Sequence, residues 1–241
     1  MLDILQPVQS ELRLVELRMR KEFALKEGRL NELLPLHLKN PWDRLFLPAM
    51  VLLHNKLFAP IKEKTVAMAC VFQFIYLATL THRQIETNPA MVVLVGDYLY
   101  TKFFSYLCRH EALEYLDPLS RSICQIQEAG IWRQQQRSVQ TDSDNLDIID
   151  KERALLVSQA CGCGAELGGA GEEQIQMSRG FGLHIGRMWA LSEAEPGPRT
   201  GVERAEALKC LYRLPGGEAR ETLERLLLHL DSFAETVSVV G

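Results

Sequence analysis

Residues 65–81 form an apolar run whose only strongly polar side chain is Gln73. A run of this length without polar alternation does not fit a half-buried strand. It also falls just short of the roughly 20 residues that a membrane-crossing helix needs. A helix that is apolar all round must be covered by other elements, so the run predicts a central helix over 62–86 inside a bundle. The flanking sequence supplies the cover. Leu5, Val8, Leu12, Val15 and Met19 recur at three- and four-residue spacing with charges between them, the mark of an amphipathic helix.

The same periodicity predicts helices over 31–38, 41–58, 90–108, 113–137, 147–170, 172–195, 202–212 and 218–234. Breaks fall at Gly28, Asn40-Pro41, Pro60, Asn88-Pro89 and Pro196-Gly197-Pro198, and the single polar linker covers 138–145. Strand signals are scarce and no repeat is visible. The expectation is an all-α fold, a single-domain bundle of about ten helices spanning 1–241.

A chain of 241 residues with 47% hydrophobic and 24% charged residues has enough apolar material for such a core. Its net charge of −4 gives no basic surface for nucleic acid. The N-terminus alternates apolar and charged residues and does not resemble a signal peptide. The six cysteines lie mostly in helical apolar stretches, as reduced thiols of a cytoplasmic protein would. Cys161 and Cys163 lack a second Cys/His pair at zinc spacing and sit among small residues, which favours packing over metal.

Two stretches carry a family resemblance. The first is Val92-Val93-Leu94-Val95-Gly96-Asp97-Tyr98-Leu99. The second runs from Ala154-Leu155-Leu156 through Gly164-Ala165 and Gly169-Ala170 to Phe181-Gly182-Leu183-His184-Ile185-Gly186. In order and spacing they resemble helices of the trans-prenyl diphosphate synthases. The resemblance implies the isoprenoid synthase fold and a site where two D-D-x-x-D motifs on facing helices gather Mg²⁺ around an allylic diphosphate. A hard cation needs charged oxygen ligands, and carboxylates one helical turn apart reach one metal cluster together.

This chain departs from that pattern at each metal or diphosphate station. At the first motif stands Thr81-His82-Arg83-Gln84-Ile85-Glu86, with Arg83 and Gln84 on the two aspartate positions. At the second, Trp189-Ala190 replaces the family's Phe-Gln. Glu193 is the one acid on an aspartate position there, followed by Ala194, Glu195 and Pro196. Of the early phosphate-contacting segment, Arg44 and Pro48 remain, and Glu152-Arg153 replaces a Lys-Thr pair. An arginine repels Mg²⁺ but pairs with phosphate.

Loss of the carboxylates with retention of the packing glycines is similar to the non-catalytic small subunits of heterodimeric heptaprenyl and hexaprenyl diphosphate synthases. That likeness implies no catalytic residue and no cofactor in this chain, with Mg²⁺ held by a catalytic large subunit. It also implies a role in supporting activity and chain length for a long-chain polyprenyl diphosphate of quinone (menaquinone) synthesis. The expected interface and product-tunnel residues are Phe74, Gly96, Asp97, Tyr98, Thr101 and Phe104, with Phe72 and Tyr76 nearby. Asp97, in an apolar helix, is expected to need a partner. Tyr98, Phe103, Phe104 and Tyr106 are expected to fill the core, His82 to be a hydrogen-bonded lining residue, and the basic stretch Arg133 to Arg137 to form a solvated helix face. Two other readings stay open: a homo-oligomeric isoprenoid- or lipid-binding protein, and a divergent prenyltransferase using Glu86, Glu193 and Glu195 as ligands.

Overall fold

The computed structural model describes residues 3–23, 42–83, 89–135, 147–192 and 199–238. Nine α-helices and no strands occupy them. In chain order these are α1 (Gln9–Phe23), α2 (Trp42–Lys56), α3 (Glu63–His82), α4 (Pro89–Arg109), α5 (Leu116–Gln135), α6 (Leu155–Leu167), α7 (Glu172–Ser192), α8 (Arg199–Leu211) and α9 (Glu218–Ser238). The all-α expectation holds. The helix predicted over 31–38 and the linker over 138–145 lie outside the described residues.

Helix α3 is the central element that its composition requires. It is long and apolar enough to cross a membrane, yet 89% of its apolar window is buried by its neighbours. Met68, Val71, Phe72, Phe74 and Ile75 have no exposed surface. At roughly 1.5–3 kcal/mol for each large side chain removed from water, this helix alone supplies much of the drive to fold. Gln73, the polar interruption, donates its amide to the backbone carbonyl of Asp43 (2.8 Å). Thr65 donates to Asn55 (2.9 Å), fastening the start of α3 to the end of α2.

The amphipathic stripe at the N-terminus is buried as predicted: Leu5, Val8, Leu12, Val15, Met19 and Phe23 all face the core. A 3₁₀ turn at Gln6–Val8, with Pro7 inside it, precedes α1.

Small residues let α6 approach both α2 and α7. A Cβ on Gly164 would lie 2.3 Å from the carbonyl oxygen of Val51, and one on Gly182 would lie 2.7 Å from the Cα of Ser158. The thiols of Cys161 and Cys163 are buried within this packing.

One local feature was not foreseen. The helix predicted over 147–170 is α-helical at 147–149 and then passes through a π-helical turn, Asp150–Ala154. Such a turn takes up an extra residue and rotates the side chains beyond it. Here it turns Glu152 into the interior, where it is 7% exposed.

Candidate functional site

The first degenerate motif begins where α3 ends. Arg83, in the turn after the helix, reaches the carboxylate of Glu152 (Nη2–Oε2 3.0 Å), and Arg133 from α5 meets the same oxygen (3.3 Å). Three elements distant in sequence thus converge on one buried carboxylate. Burial, and behind it the positive charges of Arg133 and Arg153, pushes the Arg83 guanidinium below the usual arginine range, against the pull of Glu152.

His82 packs its ring in the space left by the missing side chain of Gly96 on α4. It stacks on Tyr100 with centroids 5.8 Å apart. Its Nε2 lies 4.0 Å from Asp97, too far for a hydrogen bond. The expected hydrogen-bonded histidine is therefore a stacked one, although it does line a cavity. Burial lowers its pKa in spite of the nearby carboxylate.

That cavity, about 300 Å³, lies between α3, α4 and α5. Its polar lining comes from His82, Arg83, Tyr100, Gln127, Arg133 and Gln134. Gln127 donates to the Tyr100 hydroxyl (2.8 Å). Of the stretch expected to be a solvated face, Gln134 and Gln135 are exposed, whereas Arg133 is half-buried and ion-paired; residues 136 and 137 lie outside the described residues.

An aromatic cluster lies near the end of α7. Trp189, 2% exposed, stacks at an angle on Phe46 (4.6 Å) and Tyr76 (5.2 Å), and the Arg153 guanidinium lies 5.1 Å from its ring centroid. Tyr76 in turn donates to Asp43 (2.6 Å). Alongside runs a second ion network. Arg187 on α7 forks onto Asp150 (2.5 and 2.6 Å) and touches Glu203 on α8, which also holds His184 (2.6 Å).

Among the described residues, those at the first motif do not suit magnesium. The buried acid nearest the first motif, Glu152, is already held by two guanidiniums, and Arg83 puts a positive charge where the cation would need a negative one. Among the described residues no group of three His, Cys, Asp or Glu side chains is placed to hold a metal ion. Gln84, Glu86, Glu193, Ala194 and Glu195 lie outside the described residues.

The expected interface residues divide between two faces of α4 and the core of α3. Phe74 is buried and packs edge-on against Phe23 (6.2 Å) and Tyr106 (5.1 Å). Gly96 faces inward beneath His82. Tyr98 donates its hydroxyl to the carbonyl of Glu22 (2.7 Å), tying α4 to α1. Thr101 is exposed and donates to the carbonyl of Tyr98 (2.6 Å). Asp97 points outward, 66% exposed. It needs no compensating partner, because water solvates it. Phe103 and Tyr106 are buried as expected, whereas Phe104 is 48% exposed. On a helix covered along one stripe only, unlike α3, neighbouring residues point in different directions and one of them is left outside. With Val93 and Leu94, Phe104 gives α4 an outward stripe interrupted by Asp97 and Thr101.

Sequence reasoning missed Glu152 and Arg133 as partners of Arg83, and the Arg187 network. The only local signal was the density of charge in Asp150-Lys151-Glu152-Arg153, next to an apolar helix.

No protein-family model matches the chain. Over 110 residues it is 32% identical to a geranylgeranyl diphosphate synthase of Methanosarcina mazei, a match covering 42% of this chain and 34% of that protein. The chain thus aligns with about a third of that relative's length. Among solved structures it is similar to a decaprenyl diphosphate synthase from Rhodobacter capsulatus (TM-score 0.82, 18% identity, 98% of each chain). It is also similar to a deletion mutant of a mint heterotetrameric geranyl pyrophosphate synthase (TM-score 0.71, 21% identity, 92% of this chain and 99% of that one). The fold is that of the trans-prenyltransferases.

Proposed function

We propose, from a chain with the trans-prenyltransferase fold and sequence similarity to a prenyl diphosphate synthase over 42% of its length, that it is a non-catalytic subunit of a heteromeric polyprenyl diphosphate synthase. The observation that carries this reading is the Arg83–Glu152–Arg133 cluster. Ionisation of an allylic diphosphate leaves negative charge on the departing group, which Mg²⁺ held by carboxylates offsets. Of the first motif, Arg83 instead stands with Arg133 around one buried carboxylate. Trp189, where the family has Phe, packs on Phe46, Tyr76 and Arg153.

The partner in this reading is a catalytic large subunit with intact carboxylate motifs, and the Mg²⁺ belongs to that partner. The outward stripe of α4 (Val93, Leu94, Phe104) supports a subunit interface, since apolar side chains spaced along one helix face favour burial by another protein surface. The mint synthase shows that heteromeric assemblies occur on this fold. The product would be a long-chain polyprenyl diphosphate for a quinone side chain such as that of menaquinone, with this subunit influencing chain length.

Co-expression with a synthase that carries both motifs tests the reading. A stable complex whose product differs in yield or length from that of the synthase alone is expected. A homodimer that ignores the synthase and carries endogenous lipid in native mass spectrometry would overturn it in favour of a lipid-binding role.

A further inference from the structure

Helix α1 buries one stripe and leaves another bare. Its exposed residues are Ser10, Arg13, Leu14, Leu17, Arg20 and Lys21, among which there are cations and leucines but no acid. Ser10, Leu14, Leu17 and Lys21 follow at three- and four-residue spacing and so form one line along the helix, away from the buried Leu12, Val15 and Met19; Arg13 and Arg20 run beside it. Leu14 and Leu17 are 46% and 64% exposed. The acids of α1 are half-buried. Glu22 is held by Lys102 and Arg109, Glu11 accepts from the Ser10 hydroxyl, and Glu16 borders a small cavity against α2 and α3. Arg18 is committed to Glu63 (2.7 Å). Arg13, Arg20 and Lys21 take part in no ion pair among the described residues. A chain of net charge −4 thus gathers three cations around two exposed leucines on one helix face.

This face differs from the outward stripe of α4, which is apolar with an acid in it, and it fits a different partner. Two leucines fall far short of the roughly 20–30 residues that each side of a stable protein interface contributes. A bilayer surface requires less. Apolar side chains need only reach the boundary between headgroups and acyl chains, and cations beside them add attraction to anionic headgroups. Because its other stripe is fixed in the core, α1 meets such a surface lying along it, with both leucines and all three cations directed the same way. We propose that this face of α1 docks the protein, weakly and reversibly, on the surface of an anionic lipid bilayer. The docking does not depend on the accessory-subunit reading.

Co-sedimentation of the full chain with two kinds of vesicle tests it: phosphatidylcholine alone, and phosphatidylcholine with an equal part of phosphatidylglycerol. Binding to the anionic vesicles at low salt is expected, about tenfold or more weaker to the neutral ones, and lost near 0.5 M salt, where exposed charges are screened. Arg13→Gln/Arg20→Gln/Lys21→Gln should weaken it about a hundredfold, since each cation near the surface is worth roughly a factor of five. Leu14→Ser/Leu17→Ser should weaken it about tenfold with the charge unchanged. Arg121→Gln/Lys151→Gln/Lys209→Gln removes the same charge from exposed positions elsewhere and should leave binding within about twofold, because charges beyond a Debye length from the membrane contribute little. The substituted residues of α1 are exposed, so melting temperatures should hold in both sets. No binding to anionic vesicles, equal binding to neutral ones, or equal loss in the α1 and control triple variants would overturn the proposal. So would a concentration-dependent dimer that Leu14→Ser/Leu17→Ser dissociates, since that assigns the face to a second copy of the chain. Failure here leaves the co-expression result standing, and a catalytically competent lone chain would leave the sedimentation readable.

Discussion

The imidazole of His82 occupies the position that a side chain on Gly96 would take: a Cβ there would lie 2.3 Å from its Cε1 and Nε2. This contact joins the end of the central helix to α4 and places His82 against Tyr100. Gly96→Ala should therefore expel the ring from its stack and destabilise the protein by about 1–3 kcal/mol, the usual cost of overpacking. In a His82→Ala background the same substitution should cost markedly less. Urea denaturation of the double-mutant cycle measures the coupling.

Glycines elsewhere separate close approach from mere presence. Gly164→Ala would drive a methyl into the backbone carbonyl of Val51, which cannot rotate away. A methyl added at Gly201, in α8, would meet nothing within 4 Å. Gly201→Ala should stabilise by about 0.5–1 kcal/mol through reduced unfolded-state entropy, while Gly164→Ala should lower the melting temperature sharply. Thermal melts of the two variants side by side check both signs.

The buried carboxylate predicts an asymmetry at the degenerate motif. Arg83→Ala leaves Glu152 without its closest cation and should cost about 3–5 kcal/mol. Adding Glu152→Gln should restore a large part of that loss. Arg83→Asp, the change that nominally repairs the motif, should be worse still, because it sets a carboxylate beside Glu152. Chemical denaturation of the three variants distinguishes these outcomes.

His54 governs an acid-side loss of stability. It is fully buried, donates from Nδ1 to the carbonyl of Met50 (2.9 Å), and rests against Phe181. Burial lowers its pKa from 6.5 to about 4. Between those values the unfolded chain binds the proton and the folded chain does not. Its stabilisation is thus complete above about pH 6.5 and declines as pH falls towards 4, by about 3 kcal/mol in all. His54→Leu should flatten this part of the stability profile, read from urea midpoints at pH 7 and 4.5.

The outward stripe of α4 predicts the effect of charge at an interface. Leu94→Asp and Phe104→Asp alter exposed positions, so the lone chain should keep its melting temperature within a degree or two. Association with the catalytic partner should weaken by roughly a hundredfold or more if these side chains anchor the contact. Analytical size exclusion of the mixed subunits reads the difference.

The sequence and the structure agree where local periodicity decides the outcome. The central burial of 65–81 followed from the absence of any polar face. The Leu5–Met19 stripe followed from spacing alone. The same reasoning reached its limit at Phe103-Phe104, where both residues are equally apolar and only the phase of the helix against its neighbours selects Phe103 for the core. Arg133 reads as a solvated charge, since its partner Glu152 stands on another element and turns inward through a π-helical turn that carries no distinct local pattern. Asp97 reads as a buried acid because its neighbours are apolar, yet that apolar surface faces outward on α4. The substituted carboxylates at the first motif were legible residue by residue. The ion cluster that replaced them was not, being a product of three segments brought together by the fold.

The most direct test of the accessory role is incorporation of isopentenyl diphosphate into farnesyl diphosphate, with Mg²⁺ present, by the purified chain alone and after addition of a motif-bearing synthase subunit. Background turnover from the lone chain and a clear gain on mixing is the result that the Arg83–Glu152–Arg133 cluster predicts. Steady, Mg²⁺-dependent chain elongation by the lone chain would contradict it.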